Sequence, residues 1–274
     1  MDHTKVRAVF FDIDNTLLSF TGYVRETMRK GFAEFGLRPY TEDMYQVFER
    51  ENDRLWRRIE QVSLSFERLQ QIRWNVIFRE LGIDFDGPVF ERYFRDQLYE
   101  SAIPEPGAME ILDYLRGRYL LIAASNGPYR QQVHRLKIGG MYEHFVRIFI
   151  SEQVGAQKPS REFFDFCFRM LREHELPDIR PEETVMIGDS MTSDIAGGAA
   201  YGMHTILYLR GRQDTPVIGG KEEAQFCGAA GAGQGTGMKD LEDTGVMTGP
   251  MPAARRKPAS DMCVRSLSDI RAIL

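Results

Sequence analysis

Cysteine is scarce in this chain: three among 274 residues, Cys167, Cys227 and Cys263, with no two at metal-binding spacing. An odd, scattered set argues against a disulfide framework and suits a reducing compartment. Long hydrophobic runs are missing as well. No apolar stretch approaches the roughly 20 residues of a membrane span. The run ending at Phe11 is too short, and too soon followed by aspartates, for a signal peptide. Nor is there an excess of positive charge, since 35 Lys+Arg stand against 40 Asp+Glu for a net charge of -5. Arg57-Arg58 and Arg255-Arg256-Lys257 are short basic clusters, so neither macromolecular nucleic acid nor a membrane is expected as a partner. The expectation is a soluble, cytoplasmic protein, and nothing in the sequence sets its oligomeric state.

What is present is ordinary globular composition, 43% hydrophobic and 27% charged. The run Arg7 to Asp12 is compact and apolar, as in a strand buried on both faces of a parallel sheet. Similar runs follow at Tyr119–Ala124, Val146–Ile150, Thr184–Ile187 and His204–Leu209, separated by helical patterns such as Met109–Leu115 and Glu162–Leu171. This alternation predicts an α/β fold, a Rossmann-like doubly wound parallel sheet. Between the first two strands the period changes to that of helices. Val24, Met28, Phe32 and Phe35 form one stripe, and Met44, Val47, Phe48, Leu55 and Ile59 a second. Leu69, Ile72 and Val76, with Trp74, Ile77 and Leu81, mark a third helix, and Phe90, Tyr93, Phe94 and Leu98 a fourth. Four such helices predict an inserted α-helical bundle, entered near Thr21-Gly22 and left near Pro104–Gly107. Its aromatic stripes, with Tyr23, Arg73 and Trp74, are read as bundle core.

The expected division is therefore a core of residues 1–20, 104–210 and 261–274, and a bundle of residues 21–103. Residues 211–260, centred on the Gly228–Gly237 run, are read as a flexible Gly/Ala/Pro-rich insertion with too little apolar surface to offset ordering entropy. That run lacks the Lys-Ser/Thr of a P-loop. A short strand, Met262–Val264, and a closing helix, Leu267–Leu274, complete the chain.

The chemistry gathers at predicted strand ends. Asp12 and Asp14 are two residues apart in extended chain and so face one way at the carboxyl end of the first strand, the edge where open α/β sheets bind ligands. The second strand ends in Ser125-Asn126-Gly127, whose hydroxyl and following backbone N–H groups suit phosphate oxygens. Lys158 precedes Pro159, which suits a first helical turn. A lysine at a helix start gains nothing from the dipole, so a phosphate counter-charge accounts for it better. The fourth strand ends in Gly188-Asp189, with Asp194 beyond and Gly197-Gly198 for close packing. Like charges about 4 Å apart repel by roughly 4 kcal/mol at an effective dielectric of about 20. Four aspartates sharing one lysine therefore call for a hard divalent cation, and an all-oxygen set favours Mg2+ over zinc. His134, His144, His174 and His204 match no triad or metal spacing.

These four elements, in this order and each at a strand end, resemble the signature of the haloacid dehalogenase superfamily, over about residues 6 to 210 and the last helix. The resemblance implies that Asp12 attacks phosphorus to form an aspartyl-phosphate, while Asp14 protonates the leaving oxygen and later deprotonates water. It implies Mg2+ held by Asp12, the backbone carbonyl of Asp14, and Asp189, with Asp194 supporting from behind, and a phosphate held by Ser125, Asn126 and Lys158. The inserted bundle resembles the caps that close over small soluble phosphate esters. Ile187–Met203 is similar to the branch holding pyrimidine nucleotidases and acylneuraminate 9-phosphatases, from which the glycine-rich insertion departs. The implied activity is Mg2+-dependent hydrolysis of a small phosphate monoester, a nucleoside monophosphate or sugar phosphate among them.

Within that superfamily a haloacid dehalogenase has no use for Asp14, because a halide leaves without a proton. A phosphonate hydrolase needs a cap lysine for a Schiff base, and Lys30, the only lysine between Val6 and Gly107, sits beside Arg29 and Gly31 on a solvated face. A phosphomutase shares every core residue. A non-enzymatic phospho-acceptor needs neither a cap nor Asp14.

Overall fold

The structure, a computed structural model, describes residues 5–210 and 260–274. The insertion expected over 211–260 thus lies outside the described residues, apart from Ser260. In chain order the elements begin with β1 (Ala8–Phe11), α1 (Phe20–Glu34), α2 (Glu42–Glu60), α3 (Phe66–Leu81), α4 (Gly87–Tyr99) and α5 (Ala108–Leu115). They continue with β2 (Leu120–Ser125), α6 (Tyr129–Ile138), β3 (Arg147–Ile150), α7 (Ser151–Val154), α8 (Arg161–His174) and β4 (Thr184–Gly188). Last come α9 (Ala196–Tyr201), β5 (His204–Tyr208) and β6 (Met262–Val264).

The strands form one sheet in the order β3-β2-β1-β4-β5-β6, parallel throughout. Side chains alternate across a strand, so β1 feeds both faces. Val9 and Phe11 pack with Ile111, Leu112 and Leu115 of α5 and with Leu267 and Ile270 near the C-terminus. Ala8 and Phe10 pack with Phe163, Phe164, Cys167 and Phe168 of α8. Burial on both faces is why β1 reads as a continuous apolar run rather than an alternating one.

Helices α1 to α4 carry a core of their own, with Tyr23, Val24, Phe32, Phe48, Trp74 and Phe90 in one cluster. Trp74 lies at its centre, 4.3 Å from the Phe90 ring and 5.3 Å from those of Phe78 and Phe94. Arg73 is buried beside it against Glu91, so these residues are bundle interior.

Three details differ from expectation. Thr21 and Gly22 lie inside the first turn of α1 rather than in the crossing, because Ser19 caps the helix by accepting from the Gly22 N–H. Pro159 precedes the first turn of α8, since Ser160 is the cap and accepts from Phe163 N–H; the Lys158–Pro159 peptide is cis. The closing segment is a 3-10 helix limited to Leu267–Ala272, with Ser266 and Asp269 forming a capping box at its start.

Candidate active site

Register delivers the site. Phe11 of β1 pairs with Ala123 of β2 on one side and Ile187 of β4 on the other. The next residue, Asp12, therefore leaves the sheet level with Ala124 and Gly188, its N–H still bonded to Ile187 O at 2.9 Å. Ser125 and Asp189 follow on either side. Strand order turns both ways from β1, the switch point where open α/β sheets leave a crevice.

Lys158 reaches this crevice from the loop before α8. Its Nζ donates to Asp12 Oδ1 at 2.8 Å, Asp194 Oδ1 at 2.6 Å and the Ala124 carbonyl at 2.7 Å, which occupies all three ammonium protons. Burial opposes its charge, but Asp12 and Asp194 outweigh burial and hold the ammonium above the ordinary lysine range. Asp12 moves the other way from a normal carboxylate. Burial, opposed by Lys158 and reinforced by Asp194, pushes it up to about 7. Its Oδ2 accepts from the Thr16 hydroxyl at 3.3 Å.

Asn126 does not present its side chain to the crevice as a free donor. Its Nδ2 donates to Lys158 O and its Oδ1 accepts from Lys158 N, both at 2.9 Å. The amide therefore braces the backbone that carries the lysine. Ser125 Oγ accepts from Gln132 Nε2 at 2.8 Å.

Asp194 sits on a π-helical turn, Met191–Ile195, and is fully buried. Its two oxygens are engaged by Lys158 and by Ser190 N–H, the latter at 3.1 Å. A Cβ on Gly188 would collide with this carboxylate, which explains the glycine before Asp189. Asp189 itself accepts no hydrogen bond among the described residues. Burial and repulsion from Asp12 and Asp194 push it well above the usual carboxylate range.

Asp12, Asp189 and Asp194 each offer an oxygen, and these lie within 4.8 Å of one another. Once ionised, three carboxylates against one ammonium carry two uncompensated negative charges, the charge one Mg2+ would balance. Without that ion, burial and mutual repulsion favour protonated Asp12 and Asp189. Asp189, without a hydrogen-bond partner among the described residues, and the hard oxygen donors fit that ion. The resemblance set Asp194 behind the metal shell. Here it offers an oxygen within 4.8 Å of the other two carboxylates, yet both its oxygens are already committed to Lys158 and Ser190.

Asp14 is turned toward α6 and held by Arg135 and Gln132. Neither residue, nor Thr16, was singled out from sequence. Gln132 and Arg135 are ordinary helix residues until topology sets α6 beside β1. Arg210 was missed too. It follows β5 and donates to Asn15 Oδ1 at 2.6 Å, to Glu105 Oε1 at 3.0 Å and to the Thr21 hydroxyl, joining both crossings into the bundle. The end of α2 also meets the core, where Gln157 donates to Ile59 O at 2.7 Å and Thr192 to Glu60 at 3.2 Å.

A family model described as haloacid dehalogenase-like hydrolase matches residues 6–202. The chain belongs to this family. It is 31% identical over 201 residues to the HAD-hydrolase YfnB of Bacillus subtilis, covering 73% of this chain and 83% of that one. It is 32% identical over 203 residues to the pyrimidine 5'-nucleotidase PynA of Streptococcus pneumoniae, covering 73% and 82%. The N-acylneuraminate-9-phosphatase of Rattus norvegicus is 23% identical over 223 residues, covering 79% and 88%. The crystal structure of YfnB bound to magnesium superposes with a TM-score of 0.74 at 25% identity, covering 98% of each chain. The chain is thus a hydrolase of the haloacid dehalogenase type, with nucleotidases and phosphatases among its relatives. No described helix is long and apolar enough to cross a membrane.

Proposed function

We propose that this hydrolase releases phosphate from a small monoester through an aspartyl-phosphate on Asp12, with Mg2+ as cofactor. One observation carries the reading: Asp12 shares a single hollow at the sheet edge with Lys158, Asp189 and Asp194, while Asp14 stands two residues away. Asp12, Asp189 and the backbone carbonyl of Asp14 would hold Mg2+, backed by Asp194. When bound, the ion supplies Lewis-acid neutralisation of charge on the phosphoryl oxygens.

The remaining chemistry belongs to side chains. An Asp12 oxygen attacks phosphorus, the P–O bond to the ester oxygen breaks, and that oxygen leaves with the electron pair and a proton from Asp14. Water then gives its proton to Asp14 and attacks the phosphoryl group. The bond to Asp12 breaks, the carboxylate recovers its electron pair, and inorganic phosphate departs. Lys158 and Ser125 steady the negative charge of the group in transfer. Asn126 acts through Lys158, whose backbone it holds. The likeness to PynA supports a nucleoside monophosphate as substrate, with the α1–α4 bundle as the cap that shuts out water.

Phosphate release from p-nitrophenyl phosphate and from a panel of nucleoside and sugar monophosphates tests this. Turnover is expected with Mg2+, and neither a chelator nor Asp12→Asn should leave any. An Asp12→Asn protein that keeps its rate, or activity that survives chelation, would end the proposal.

A further inference from the structure

Both oxygens of Asp14 are held by one helix. Gln132 and Arg135 are three residues apart on α6 and so share a face. Gln132 Nε2 donates to Asp14 Oδ2 at 2.7 Å and to Ser125 Oγ at 2.8 Å, and its Oε1 accepts from Arg135 at 2.8 Å. Arg135 Nη1 donates to Asp14 Oδ1 at 2.6 Å, and its Nε donates to Ser101 O at 3.0 Å. Gln132 and Arg135 are each 1% exposed, whereas the Asp14 side chain they hold is 31% exposed, so the donors are fixed while the carboxyl still faces the open crevice. Ser101 lies in the crossing from α4 back to α5.

We propose that Gln132 and Arg135 are positioning residues that aim the Asp14 carboxyl for proton transfer and tie it to Ser125 and to the returning crossing. The inference rests on the acid–base role given to Asp14 above. Asp14 lies beyond the end of β1, where its backbone is bridged to Leu18, but backbone pairing does not fix the rotation of its side chain. A carboxyl free to rotate spends little time within reach of the leaving oxygen, and fixing such a group is a large part of its effectiveness. One donor on each oxygen removes that freedom. Gln132 also sets the distance between Asp14 and Ser125, since its two amide protons go one to each.

A purely structural clamp would fasten α6 to β1 without regard to the ester being cleaved. The two roles separate on leaving-group dependence, because p-nitrophenolate leaves without a proton and an alkoxide does not. The full chain and its Gln132→Met, Arg135→Met and Arg135→Lys variants are assayed with Mg2+ on p-nitrophenyl phosphate and glycerol 2-phosphate, alongside thermal melts. The readout is kcat/KM, which covers the steps up to the phosphorylated aspartate. Gln132→Met and Arg135→Met are expected to lower kcat/KM on glycerol 2-phosphate by about 10²-fold, the scale of a general acid's contribution. The aryl ester should lose about tenfold less, and Arg135→Lys should recover part of the alkyl activity. Equal losses on both esters, or no loss on either, overturn the proposal. Should Arg135→Met fail to fold, Gln132→Met and Arg135→Lys decide it. A wild-type chain that cleaves neither ester overturns the phosphatase reading beneath it instead.

Discussion

The bundle and the sheet edge each bury charge, and they do so on opposite terms. In the bundle, Arg73 donates to both oxygens of Glu91, at 3.0 and 2.5 Å, reaches Asn52 at 3.3 Å, and lies 4.6 Å over the Phe94 ring. One cation meets one anion, and the pair is closed. At the sheet edge Lys158 faces Asp12 and Asp194 with Asp189 alongside, and negative charge is left over. A balanced, fully bonded pair specifies how helices meet. An unbalanced set is held at a cost, and under the proposed function a cation and a phosphate would complete it.

The closed pair should show its character when halved. Arg73→Met leaves Glu91 buried without a partner, and the expected loss is about 3–5 kcal/mol of unfolding free energy. Glu91 already sits above its ordinary range through burial, with Arg73 pulling it back down. Adding Glu91→Leu should return most of the loss, since an apolar pair of similar volume is often neutral. Denaturant unfolding of the single and double variants measures this, and kcat on an aryl phosphate should stay within about threefold wherever the chain is folded. A large fall in kcat would mean that the bundle's buried pair also serves the chemistry, and the contrast would fail.

At the sheet edge the main expected loss falls on activity. Lys158→Met should lower kcat by about 10²–10³-fold, as removal of a donor to developing negative charge does elsewhere. With the ammonium gone, Asp12 and Asp194 oppose each other directly, so the variant should also melt earlier in chelator and regain part of the difference with Mg2+. A Lys158→Met protein of unchanged kcat would reduce the lysine to a structural filler like Arg73.

The open set should also titrate. Asp12 rises from an unfolded value near 3.8 to about 7 in the folded chain. Its neutral form is therefore the one the fold favours, and its contribution to stability is complete below the unfolded value and lost as pH climbs through about 7. In chelator, the melting temperature of wild type minus that of Asp12→Asn should fall between pH 5 and pH 8. Mg2+ at a fixed concentration of about 100 times its Kd at pH 8 adds roughly 2.7 kcal/mol there, and the same concentration should add less at pH 5.5, where Asp12 is protonated. A pH-independent difference would show that the charge at the edge is already balanced.

Much of this contrast was legible in the sequence, and unevenly so. Asp12, Ser125 and Asp189 were readable because each ends an apolar strand, and parallel register then forces them to one edge. Lys158 stands out in the sequence by its misfit at a helix start, although Ser160 and not Pro159 opens that helix. Asn126 reads as part of a turn suited to phosphate, yet its side chain bonds a backbone 32 residues on, which no local pattern encodes. Gln132, Arg135 and Arg210 left no trace, because a polar helix residue or a strand-end arginine looks solvated until the partner across the fold is known. The aromatic stripes marked the bundle clearly. Its buried Arg73 and Glu91 are invisible as a pair, since they belong to different helices.

The smallest effect concerns the bundle's own lysine. Lys30 is 61% exposed and pairs with Glu26 one helical turn away at 2.5 Å. Such exposed i,i+4 pairs stabilise by about 0.3–0.5 kcal/mol, against which Lys158 at 1% exposure is a different kind of residue. Lys30→Ala should therefore change stability by no more than about 0.5 kcal/mol and leave kcat on every accepted phosphate ester unaltered. Phosphonate cleavage through a Schiff base would instead need this amine, and would stop altogether in the variant. Assaying Lys30→Ala on a phosphate ester and on phosphonoacetaldehyde separates the two chemistries, because only the second runs its electrons into a protonated imine.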